Sequence, residues 1–132
     1  MKKSYWILIG IFVLILIILF IRFFIGGNED SWIKDNRGIW IKHGVPSSTP
    51  DYVLEQQKFI SDVLNLYEQK KSEGMEFNSQ CLGSIGDYAI DIVHVPRGNE
   101  ENLAENQCED YISGKVIHFV ELDKDGKIVR IV

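Results

Sequence analysis

Three histidines, His43, His94 and His118, are the side chains best suited by type to hold a metal ion or carry a proton near neutral pH. His94 and His118 lie in β-prone segments and would meet if the first and third strands of a meander were neighbours. Asp91 precedes His94 by three residues, so in an extended strand the two point to opposite faces and do not converge on one ion. Hydrogen-bonded or solvent-facing strand histidines are the better reading. Asp123, Asp125 and Gly126 look like part of a calcium loop, but taking Glu121 as first ligand puts Val132 where a bidentate glutamate is required. A turn accounts for them.

The two cysteines, Cys81 and Cys108, lack the Cys-x-x-Cys spacing that lowers a thiol pKa. A structural disulfide is therefore expected, with redox exchange as the functional alternative. Closing a loop of about 28 residues would stabilise a small domain by roughly 3.5 kcal/mol in the chain-entropy picture. The sequence has no Gly-rich phosphate loop and no Gly-x-Ser-x-Gly elbow. Its carboxylates in residues 99–110 read as a solvated acidic surface rather than a matched acid and base. No catalytic residue, metal site or cofactor is expected. An envelope enzyme or metal-dependent sensor using His94 or His118 stands as the alternative.

These side chains must be positioned within 132 residues, room for one small domain. Residues 5–25, YWILIGIFVLILIILFIRFFI, form an apolar run with one charge, Arg22. At about 1.5 Å per residue a helix of this length crosses roughly 30 Å of hydrocarbon. Tyr5 and Trp6 suit one interface, and Arg22 can extend toward the other. A cleaved signal peptide would have a shorter core and a small-x-small site, whereas Phe23, Phe24 and Ile25 stand there. Residues 1–25 are thus expected to be a transmembrane anchor and 26–31 a short stalk. Residues 32–132 are expected to form an extracytoplasmic α+β domain.

Lys2 and Lys3 precede the span and Glu29 and Asp30 follow it, which by the positive-inside bias leaves the amino terminus cytoplasmic. Beyond residue 25 stand 11 basic and 19 acidic residues, a formal charge of −8. Nucleic acid is an unlike partner for such a surface. The bilayer, through the first helix, and a protein or peptide are the partners expected.

In the outer part, WIKDNRGIWIKHG reads as a β-hairpin turning at Gly38, with Lys34 opposite Trp40 and Ile33 opposite Ile41. Parity puts Ile33, Ile39 and Ile41 on one face, and Trp32, Lys34, Trp40 and Lys42 on the other as a candidate contact face. An N-cap at Ser48 or Thr49 then opens a helix with apolar residues at 52, 53, 59, 60, 63, 64, 66 and 67, closed by Gly74. A loop through Cys81 follows. Strands are expected at residues 88–95, 108–112, 115–122 and 127–132. The predicted fold is a two-layer α+β domain, one long amphipathic helix on an antiparallel meander, with the hairpin at its start. The acidic stretch 97–110 is a second candidate contact surface.

GIWIKHGVPSSTP, MEFNSQCLGSIGDYAIDIVHVPR and NQCEDYISGKVIHFVELDKDGKIVRIV resemble segments of an uncharacterised group of small membrane-anchored or secreted archaeal proteins. The resemblance implies an extracytoplasmic setting and carries no activity. The order of elements is also similar to type IV pilin-like proteins, but there is no processing glycine before the apolar run and no glutamate near its start. The expectation is a single-pass, membrane-anchored interaction module, an accessory subunit binding a protein or peptide. A pilin-like assembly subunit is a further alternative.

Overall fold

The computed structural model describes residues 2–22 and 30–132. The end of the expected anchor, residues 23–25, and residues 26–29 of the expected stalk lie outside the described residues. The chain divides into two units, residues 1–31 with 42–47 and residues 32–41 with 48–132.

In the first unit, helix α1 (Lys2–Phe20) has no acidic residue in its first turn and no basic one in its last. Its large apolar side chains, from Tyr5 onward, are exposed. Such a helix is long and apolar enough to cross a membrane. In the same unit Asp30 turns its carboxylate onto the Val45 N–H at 3.0 Å. Gly44 stands close by with φ +71°.

Strands β1 (Ser31–Lys34) and β2 (Trp40–His43) form a two-stranded sheet. The Asp35 N–H donates to the Ile39 carbonyl and Gly38 takes φ +84°, so the turn has the expected register. Ile33 and Ile41 are 40% and 39% exposed, whereas Trp32 and Trp40 are half-buried. Of the three isoleucines only Ile39 packs against the core. The aromatic side docks because helix α2 (Asp51–Ser72) offers it a ring and an amide: Tyr52 lies 4.7 Å from Trp40, and Gln56 bonds the Trp40 N–H and the Gly38 carbonyl.

Helix α2 begins at an N-cap Pro50, whose carbonyl accepts from Val53 and Leu54, rather than at Ser48 or Thr49. Its fixed φ of −64° with extended ψ serves the cap without a side-chain bond. Gly74, in left-handed conformation, ends the helix as expected, with the following Met75 N–H on the Lys70 carbonyl. The apolar stripe of α2 buries Val63 and Tyr67 against Leu82, Ile90, Ile92, Val120, Leu122 and Ile128.

Those partners belong to a four-stranded sheet in the order β3 (Gln80–Ile85), β4 (Tyr88–Ile92), β5 (His118–Leu122), β6 (Ile128–Ile131). The pairs β3/β4 and β5/β6 are antiparallel, but β4 and β5 are parallel. The expected all-antiparallel meander is thereby corrected. Two features explain the difference. The glycine-bearing stretch expected as a loop is strand β3, because Gly83 sits at a bulge while Leu82 is buried. Residues 108–112, expected as a strand, instead form the short helix α3 (Glu109–Ile112), whose acidic first turn suits a helix start. Helical residues there, with two short 3₁₀ turns before them, make residues 93–117 a crossover long enough for a parallel connection.

The crossover covers the sheet face opposite α2, where Cys108 and Val116 pack with Ala89, Cys81 and Phe119. Sheet strands β4 and β5 are consequently buried on both sides, in keeping with parallel pairing.

Candidate functional site

Strand alternation sorts chemistry onto the face away from α2. Cys81 pairs with Asp91, Asp91 with Glu121, and Glu121 with Arg130, so one row of four chemically active residues crosses all four strands. The crossover adds Arg97 and Cys108 above it. Glu121, 4% exposed, receives Arg130 Nε at 2.7 Å and Nη2 at 3.2 Å, and also Arg97 Nη1. Arg97 Nη2 reaches Asn102 at 3.1 Å, and the Arg130 guanidinium lies 4.9 Å from the Phe119 ring centre. Two arginines on one carboxylate leave Glu121 fully compensated.

Asp91 is less well served. Burial first, then the neighbouring Glu121 charge, push its carboxyl up to about 6, although the Cys108 backbone and Arg97 work in the opposite direction. A folded value above the ordinary 3.8 makes this group's contribution to stability complete below that value, lost as pH rises through about 6. Asp91→Asn should flatten the part of the unfolding midpoint that falls between about pH 4 and pH 7, read by urea titration at each pH.

The third acid, Glu101, belongs to the stretch expected to be a solvated acidic surface. Glu100, Glu105 and Glu109 are exposed, but Glu101 is 3% exposed and thus departs from that expectation. It accepts the His94 N–H at 2.8 Å and the Gly98 N–H at 2.9 Å, and meets His94 Nδ1 at 2.6 Å. The enclosing segment contains a cis Val95–Pro96 bond. Burial acts to raise its pKa, yet the bonds from His94 and Gly98 outweigh it and hold the carboxyl at about 2.

His94 thus anchors a loop, and His118 stacks on Tyr88 at 5.0 Å. The register pairs His118 with Tyr88, six residues before His94, a separation of about 20 Å along the strand. The two histidines are not brought together, so they do not share one ion. His43 lies in the first unit. Asp123 bonds the N–H groups of Asp125 and Lys127 at 2.9 Å each, the turn expected of that motif. Cys81 and Cys108 are bonded, joining β3 to the start of α3.

The hairpin contributes a second site. Lys34 Nζ stands 5.2 Å from the Trp40 ring centre, Trp40 leans on Tyr52, and Phe59 meets Tyr88 at 4.5 Å. Between these pairs runs an open groove of about 410 Å³, with Glu55 and Asp87 adding negative charge to its lining. Of the expected contact face, Lys34 and Trp40 share this groove. Trp32 is engaged elsewhere through its indole N–H on the Ser48 carbonyl at 3.0 Å, and Lys42 belongs to the first unit.

Sequence reasoning missed Tyr52 as a groove residue because its position also suited the helix stripe. It missed Arg97, Glu101, Glu121 and Arg130 because charge was read as exposure. The available signal was a carboxylate in the middle of each of two apolar strands, YAIDI and HFVEL.

The architecture defines a disulfide-bonded α+β domain in a chain whose first helix is a candidate membrane span. No protein family, curated protein or solved structure matches it.

Proposed function

We propose that this chain is a single-pass, membrane-anchored interaction module whose outer domain binds a protein or peptide segment in the groove beside Trp40. The observation that carries this reading is the grouping of Trp40, Tyr52, Phe59 and Tyr88 along one open groove with charges of both signs. Rigid aromatic walls supply contact area at small entropic cost, and flanking charges set orientation. An apolar, outward-facing α1 and a disulfide both support anchoring with the domain on the oxidising side. An accessory role fits a groove whose walls are aromatic and flanked by charge.

The test is photocrosslinking in native membranes from a benzoylphenylalanine replacing Tyr52, which is 48% exposed, with the same residue replacing Ile112, 51% exposed, as control. A discrete crosslinked partner from position 52, absent from position 112 and weakened by Trp40→Ala, is the expected result. Equal products from both positions, or lipid adducts alone, would overturn the groove reading.

A further inference from the structure

The disulfide is held unevenly. Cys81 is half-buried on β3, an edge strand, whereas Cys108 is 1% exposed. Three oxygen atoms surround Cys108 Sγ: Asp91 Oδ1 at 3.2 Å, the Gly83 carbonyl at 3.4 Å and the Ile90 carbonyl at 3.5 Å. A disulfide sulfur has no hydrogen to offer any of them. A thiol does, so the pocket satisfies the reduced form of Cys108 better than the oxidised one. The main core between α2 and the sheet contains neither cysteine, and the bond lies in a smaller cluster on the opposite face.

We propose that Cys81–Cys108 is a thiol–disulfide exchange centre, in which a dithiol partner attacks Cys81 and Asp91 gives its proton to the departing Cys108 sulfur. The partner's thiolate forms a bond to Cys81 Sγ as the bond between the two cysteines breaks. The electron pair leaves on Cys108, which takes the Asp91 proton and becomes a thiol whose one S–H can donate to the Gly83 or the Ile90 carbonyl. The partner's second thiol yields its proton to Asp91, attacks the mixed disulfide and closes the partner's own disulfide. Cys81 departs as a thiolate and takes the proton that the first partner thiol released to water. Two electrons pass from the dithiol to this chain, and the reverse sequence would pass a disulfide outward.

Asp91 suits both directions because its carboxyl, raised to about 6, is both a proton donor and a base near neutral pH. Around it stand Glu121 from β5, Arg97 from the crossover and the cysteine pair, while Arg130 compensates Glu121. Burial of Cys108 leaves Cys81 as the sulfur open to attack.

The test uses the full chain in detergent micelles with dithiothreitol as the dithiol, scoring thiols by alkylation and mass while tryptophan fluorescence follows the fold. Reduction should proceed with the fluorescence unchanged. Asp91→Asn should slow it by about tenfold or more and flatten its pH profile once normalised to dithiothreitol thiolate. A second arm compares single-cysteine variants: Cys81 in Cys108→Ser should react with a disulfide dye at least about tenfold faster than Cys108 in Cys81→Ser. Reduction only in step with unfolding, an Asp91→Asn rate equal to wild type, or equal dye reactivity of the two cysteines would each overturn the proposal.

Discussion

Replacing Glu101 with alanine is expected to destabilise the domain by about 2–3 kcal/mol, because a charged acceptor shared by two backbone donors and a histidine ring is lost together with its burial. Glu101 closes the loop from His94 to Gly98 at the start of the crossover, and the other carboxylate near His94 Nδ1, that of Glu100, is exposed and stands farther off at 3.8 Å. The loss should also change the acid limb of stability. A carboxyl held at about 2 instead of its ordinary 4.5 adds stability that is complete above the upper value and lost as pH falls toward the lower. Urea titrations at pH values across that window should therefore show wild type weakening with acid while Glu101→Ala weakens less. An equal acid slope in both proteins would remove Glu101 from this role.

The second large effect lies where α2 meets the turn between β5 and β6. Tyr67 is 2% exposed, stacks on Phe77 at 4.6 Å and donates its hydroxyl to the Lys124 carbonyl at 2.8 Å. Gly126 passes beneath it at φ +80°, and a methyl group there would come within 2.7 Å of the ring. Tyr67→Ala should cost about 4 kcal/mol through lost burial, the cavity and the missing bond. Gly126→Ala should cost about 2 kcal/mol, part from the left-handed backbone and part from the ring. Only the ring part disappears when the tyrosine is absent, so the double variant should be less destabilised than the sum by about 1 kcal/mol. Strict additivity would mean that the glycine is required for its backbone alone.

Much of this packing is legible in the sequence, and the exceptions have physical causes. The stripe that runs through Val63 and Tyr67 predicts both α2 and its buried side, because a helix period leaves little freedom once the face is apolar. Turn residues Gly38, Gly74 and Gly126 mark positions of positive φ by the same local logic. Strand pairing is a different problem. Nothing local in YAIDI or HFVEL states that they run parallel; that depends on how residues 93–117 return the chain. Gly83 hid β3 because glycine weakens a strand signal, although at a bulge it is tolerated. Glu101 and Glu121 read as surface charges because their partners, a folded loop and two arginines, come from distant positions. The hairpin's register was readable, but its docked side was decided by Tyr52 and Gln56 on another element.

Partner binding as proposed requires an outer domain displayed beyond a membrane anchor. Its most direct test is a cysteine introduced at Lys124, whose side chain is 74% exposed, followed by labelling of intact cells with a membrane-impermeant maleimide against the unmodified chain. Labelling of Lys124→Cys in intact cells, without lysis, is the result expected of an outer domain. Labelling that appears only after lysis would place the domain in the cytoplasm and contradict it.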